Sequence, residues 1–198
     1  MIVVAIIGIL AAVAIPNFLR FQGRARQAEA SSNLKALYTG LRTLPTAPRQ
    51  IRVPGFAPER GNRYSYQMAP SCNSAEDRST AVGVRNGIDD CVEADTWRYP
   101  GTRLFAFVRP VAQTWSPTAQ AHGLGSDPGI FPVNAVESWS FLAYAAGDVD
   151  NDQADAADTW FISSSDGSAQ PACPDTGGTQ LPVAAGEPFL VSNDVNCD

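Results

Sequence analysis

The sequence predicts an α+β protein: one long N-terminal helix, first apolar and then amphipathic, packed on a small antiparallel β-sheet head. Three observations predict it. Residues 1–15, MIVVAIIGILAAVAI, carry no charged or strongly polar side chain. Helical periodicity then continues to Leu44, where Pro45 and Pro48 end it. Beyond that point short apolar runs alternate with Gly- and Pro-rich turns, and the four cysteines fall in two local pairs.

The apolar run comes first. A helix of fifteen residues covers about 22 Å, short of the ~30 Å hydrocarbon core of a bilayer, so flanking or upstream residues are expected to complete a span. No basic segment precedes it and no small-residue cleavage pattern followed by a mature domain comes after it, which departs from a secretory signal peptide. After Pro16 and Asn17 the apolar positions Phe18, Phe21, Ala25 and Ala28, then Leu34, Leu37, Leu41 and Leu44, each follow a three, four, three spacing. Arg20, Arg24, Gln27, Ser31, Lys35 and Arg42 are assigned to the opposite, polar face. Residues 1–44 are therefore expected to form a rod, with 1–17 for membrane or helix packing and 18–44 amphipathic; residues 45–198 form the head. Pro16 removes a backbone donor and Gly8 weakens the helix one to two turns earlier, so a kink or melted turn is expected between them.

Within the head, residues 49–61 read as a loop. Tyr64, Tyr66 and Met68 alternate with Arg63, Ser65 and Gln67 in the pattern of a half-buried strand, and LFAFV at 104–108 is a second strand candidate. SWSFLAYA (138–145) and TWFIS (159–163) flank an acidic loop and read as an antiparallel hairpin, with a further short strand over 188–191.

Composition excludes several functions. The net charge of -6 and pI near 4.7 give no footprint for wrapping nucleic acid. Positive charge is concentrated at Arg20, Arg24 and Arg26, just past the apolar run, which reads as a membrane-proximal or subunit-facing collar. Cys72, Cys91, Cys173 and Cys197 show no C-x-x-C spacing, and their even number points to disulfides. Three connectivities are open, of which Cys72 with Cys91 and Cys173 with Cys197 closes the shortest loops. Disulfides place the head in an oxidising compartment.

No residue is assigned a catalytic role. The one histidine, His122, lies in a Gly- and Ala-rich loop, and no nucleophile elbow, phosphate loop or His pair occurs. Trp97, Trp115, Trp139 and Trp160 read as core or subunit contacts. The loop GDVDNDQADAAD alone has ligand chemistry: Asp148, Asp150 and Asp152 alternate, with Asp155 and Asp158 nearby, as oxygen donors for calcium do. Gln153 and Thr159 stand where an EF-hand needs Gly and Glu, so a solvated hairpin loop is the alternative, and no cofactor is required.

An apolar helix, a proline about fifteen residues in, and an amphipathic extension into a disulfide-bearing head resemble the type IV pilins. MIVVAIIGILAAVAIPNF is similar to the core of that family's N-terminal signature, whose upstream part is a basic leader, a Gly and F-T-L-I-E-L. On this resemblance the mature chain is expected to begin upstream of Met1. QAEASSNLKALYTG, GFAPERGNRYSY and SNDVNCD are similar to stretches of myxobacterial major pilins, members of the type IVa group.

The resemblance implies a major pilin that polymerises into a filament for twitching motility and adhesion. Met1, Ile2, Ile6, Ile7, Ile9, Leu10, Val13 and Ile15 would fill the filament core, with Gly8, Ala11, Ala12 and Ala14 allowing close helix approach. Arg20, Arg24 and Arg26 would meet acidic surfaces of neighbouring subunits. The implied partners are further copies of the chain, an inner-membrane assembly machinery driven by separate motor ATPases, and surface polysaccharide or other cells. The implied location is an extracellular filament fed from an inner-membrane pool. A minor pilin or type II secretion pseudopilin, and a membrane-anchored periplasmic binding domain that never polymerises, are the competing readings.

Overall fold

The computed structural model describes residues 2–68, 72–116, 140–150 and 157–197. Met1, His122 and Trp139 lie outside them. Helix α1 runs unbroken over Ile2–Arg42, about 62 Å at ~1.5 Å per residue. It passes straight through Gly8 and Pro16, so the expected melted turn is not a feature of the single subunit. Among the described residues nothing else packs on this stretch, and helices built for apolar surroundings tolerate Gly and Pro. The helix closes two residues before Leu44 with a tightened turn, Thr43 N–H donating to Gly40 and Leu44 N–H to Leu41, both at 3.2 Å.

Among the described residues the head holds nine strands: β1 (Tyr64–Gln67), β2 (Ala75–Glu76), β3 (Cys91–Val92), β4 (Ala112–Trp115), β5 (Leu142–Gly147), β6 (Asp158–Ser163), β7 (Gly167–Gln170), β8 (Leu181–Val183) and β9 (Pro188–Ser192). One six-stranded sheet has the order β2-β3-β1-β5-β6-β9 and a three-stranded sheet the order β4-β7-β8. All pairings are antiparallel except β2 with β3. The expected hairpin is β5 and β6, in register from Leu142 opposite Ser163 to Gly147 opposite Asp158.

These elements form three layers. Ala30, Leu34, Leu37 and Leu41 of α1 pack on Tyr64, Tyr66, Ala143, Ala145 and Ile162 of the large sheet. The alternate residues Leu142, Tyr144 and Phe161 face Trp115, Ala169 and Val183 of the small sheet. The central strands are therefore covered on both faces, and β1, read as half-buried, is buried at all four positions. The segment 104–108, a strand candidate, forms no ladder. Its amides bond hydroxyls instead, Phe105 N–H to Ser65 Oγ (3.3 Å) and Val108 N–H to Thr159 Oγ1 (3.2 Å), and Phe107 stacks on Tyr144 with ring centroids 4.2 Å apart.

The helix face differs from expectation. The head-facing stripe is Gly23, Gln27, Ala30, Leu34, Leu37 and Leu41, and Phe18, Phe21, Ala25 and Ala28 are exposed. At ~100° per residue the two sets lie about 180° apart. The two apolar runs of α1 thus serve opposite faces rather than one continuous stripe. Gln27, assigned to solvent, is buried.

Both local cysteine pairs are bonded, Cys72 to Cys91 and Cys173 to Cys197. On the chain-entropy model each bond contributes roughly 3 kcal/mol. A buried ion network, absent from the sequence reading, fixes the loop after β2. The Arg78 guanidinium, 1% exposed, bonds Asn62 Oδ1 (2.6 Å), the Pro58 and Glu59 carbonyls (2.9 and 3.0 Å) and the Glu76 carboxylate (3.0 Å).

Gly40 gives the fold a discriminating test. In a free helix Gly→Ala stabilises by about 1 kcal/mol, whereas a Cβ at Gly40 collides with the Pro54 carbonyl oxygen. Gly40→Ala is therefore expected to lower the thermal midpoint of the head; a rise would contradict this packing of α1 against the loop.

Candidate assembly surface and acidic site

The surface most in need of a partner is the projecting half of α1. Ile2, Val3, Val4, Ile6, Ile7, Ile9, Leu10, Val13 and Ile15 are all more than half exposed, Ile2 at 78%. Burying nine such side chains is worth on the order of 15 to 25 kcal/mol. By length and composition the helix can cross a bilayer, and this apolar portion is not buried inside the subunit. The exposed stripe of Phe18, Phe21, Ala25 and Ala28 extends that surface along the back of the helix, away from the head.

The three arginines separate. Arg20 and Arg24 are exposed and, among the described residues, form no hydrogen bond or ion pair. Arg26 is half-buried and donates to the Val149 carbonyl, so it ties the helix to the β5–β6 connection within the subunit. That intramolecular bond corrects its assignment to the free collar.

Helix and head meet in a polar clamp around Asp158. Its Oδ1 accepts from Gln27 Nε2 (2.7 Å) and the Asp194 amide (3.3 Å), and its Oδ2 from Tyr64 OH and Trp160 Nε1, both 2.6 Å. Burial pushes this carboxyl above its usual range, more than these bonds draw it down. Gln27 also donates to Asn193 Oδ1 (3.0 Å), and Val195 fills the space a side chain at Gly23 would take. The C-terminal 3-10 turn Asp194–Asn196 therefore seats directly on α1. Asp158 belongs to this clamp and its four donors leave no room to treat it as an open ligand, contrary to its place in the acidic donor set.

The acidic loop gains a member from elsewhere. Asp148, Asp150 and Asp194 bring one carboxylate oxygen each within 4.8 Å of one another, while Asp152 and Asp155 lie outside the described residues. Asp194 accepts the Val149 amide (3.0 Å). Burial, followed by repulsion from Asp150, Asp148 and Asp158, raises its pKa to about 7 against the pull of that amide. Sequence reasoning missed Asp194 because nothing in SNDVNCD marks it; the Cys173–Cys197 pair was the available hint that this tail folds back on the sheet. Of the tryptophans, Trp115 is core, Trp160 is half-buried and Trp97 is exposed.

Comparison with known proteins fits this geometry. The family described as Type IV pilin PilA matches residues 21–156. The chain is 38% identical over 205 residues to the Type IV major pilin protein PilA of Myxococcus xanthus (strain DK1622), covering 100% of this chain and 90% of that protein. The chain belongs to the type IV pilins, structural subunits of pilus filaments rather than catalysts. Its disulfide-bonded head and exposed apolar helix are those of an extracellular filament subunit that can be anchored in a membrane.

Asp194 gives the head a pH signature. An unfolded aspartate loses its proton near ~3.9, whereas the folded one holds it to about 7. Between those values the folded state binds more protons, so this group's contribution to stability is complete below ~3.9 and is lost as pH rises through 7. The thermal midpoint in the absence of divalent cations is expected to fall from pH 4.5 to pH 7.5, with a shallower fall in Asp194→Asn.

Proposed function

We propose that the chain is the major subunit of a retractile type IVa pilus serving twitching motility and surface adhesion. The observation that carries this reading is the continuous apolar surface of α1, from Ile2 to Ile15 and on through Phe18 and Phe21, which its own head leaves uncovered. Copies of the chain bury it by packing helix against helix, and because the contact is heterologous it propagates into a filament. The similarity in full-length extent to a major pilin supports the major over the minor-pilin role.

On this reading the subunit waits in the inner membrane and passes to an assembly machinery there, with surface polysaccharide or other cells as outer partners. Ile2, Ile6, Ile7, Ile9, Leu10, Val13 and Ile15 enter the filament core with Met1. Arg20 and Arg24, unpaired among the described residues, meet acidic head surfaces of neighbours. Gly8 and Pro16 are the points at which the helix loosens once packing and tension act on it.

Cryo-electron microscopy of sheared surface filaments tests the assignment: density for this sequence should build the wall, with α1 at the centre. A filament made of another protein overturns it. Phe21→Asp, on the face away from the head, should leave the head's fold intact yet lower surface filament by more than about tenfold, since ~1.4 kcal/mol per tenfold is less than the cost of burying an unpaired carboxylate.

A second reading concerns calcium. Three hard carboxylate oxygens held together by the fold, one of them destabilised when ionised, form a donor set suited to that ion. Calcium would hold Asp194 ionised and bridge the β5–β6 connection to the C-terminal turn. Millimolar calcium at pH 7.5 is then expected to raise the thermal midpoint of the wild type and to leave Asp148→Asn/Asp150→Asn unmoved. Equal midpoints with calcium and with chelator would exclude it.

A further inference from the structure

We infer that Arg20 and Arg24 bind phosphate headgroups of anionic phospholipid while the subunit is in the membrane, and exchange those phosphates for protein carboxylates on assembly. The inference rests on the membrane-pool reading above and adds a lipid site to it. Four observations converge. The helix from Ile2 to the residue before Arg20 is unbroken and carries no charge, so Arg20 and Arg24 are the first charges met where the apolar run ends, and charge is costly within the hydrocarbon. Arg20 therefore stands at the headgroup level, and Arg24 one turn beyond it.

The two side chains share one side of the helix, about 40° apart at ~100° per residue. Both are exposed and, among the described residues, unpaired, whereas Arg26, two residues on, is committed to the Val149 carbonyl. Phe21, exposed at 70%, lies about 100° round the helix from Arg20 and offers apolar surface beside it.

The guanidinium group suits this partner. Its planar fork donates two parallel hydrogen bonds to a phosphate, and it is less strongly hydrated than an ammonium group. No acidic side chain lies between Ile2 and Ala28 to compete for it or repel the lipid; the first is Glu29, whose carboxylate is engaged by the Arg63 amide and Tyr66 OH at 3.1 and 3.0 Å. A zwitterionic headgroup carries its own ammonium, so net-anionic lipid is the favoured partner. Extraction removes the phosphates and leaves both arginines to neighbouring subunits.

The test uses the full chain in bilayers of phosphatidylcholine with a trace of spin-labelled phosphatidylglycerol or phosphatidylcholine, reading the relative association of the two probes. Flotation after a carbonate wash first reports anchoring, so failure of the membrane reading is seen separately. The expected result is a preference for phosphatidylglycerol of about fivefold or more, from ~1 kcal/mol per basic residue near an anionic surface. It should fall toward unity in Arg20→Gln/Arg24→Gln and persist in Arg20→Lys/Arg24→Lys and in Arg42→Gln, whose charge sits about 27 Å further along the helix. An anchored wild type without preference, or a double Gln variant that keeps it, overturns the inference. So does loss of the preference in Arg42→Gln.

Discussion

The structure depends on one constraint: a helix about 62 Å long whose outer half has no partner among the described residues of its own subunit. A soluble protein would bury that surface or shed it. Here it is retained intact, and the head is organised to hold the helix by its other half alone. Leu34, Leu37 and Leu41 supply the apolar grip. Gln27 and Gly23 supply a polar and a close-packed one nearer the emerging end. The last head contacts along α1 therefore come just where the exposed arginines begin, and the head ends as the membrane-competent segment starts.

The clamp explains why the C-terminal disulfide belongs to the same constraint. The turn Asp194–Asn196 touches α1 through Val195, and Cys197 behind it is bonded to Cys173, whose carbonyl also accepts the Asn193 amide at 3.0 Å. Tension on the projecting end of the helix meets these groups first, ahead of the leucine grip. A covalent tie at this point limits how far the turn can peel away, which a buried carboxylate with four donors could not do alone. The acidic cluster lies on the same joint, with Asp194 in the turn and Asp148 and Asp150 beside the carbonyl that Arg26 holds. Protonation state or a bound cation would thus act on the helix-to-head connection rather than on a remote loop.

Much of this was legible in the sequence. The apolar run, the end of α1 within two residues, the β5–β6 hairpin and the disulfide pairs follow from composition, periodicity and loop length. The errors have physical causes. Two apolar sets on one helix were read as one face, because periodicity reports spacing and not which side meets the head. The strand alternation of β1 was read as half-burial, since the sequence does not show that the 104–108 segment meets its far side. Arg78 and Asp194 escaped because buried charge is set by tertiary contacts alone.

The opposition of the two apolar faces has a mechanical consequence for a subunit that must occupy both a bilayer and a filament. If one stripe served both the head and the neighbours, every transfer between environments would compete with the fold. With the stripes about 180° apart, the leucines of the head-facing stripe stay buried in either setting, while Phe18, Phe21, Ala25 and Ala28 are free to change partners. The subunit can then exchange lipid for protein along one side of α1 without loosening the other. The free-energy difference between the two states is confined to the exposed half of the helix and its arginines.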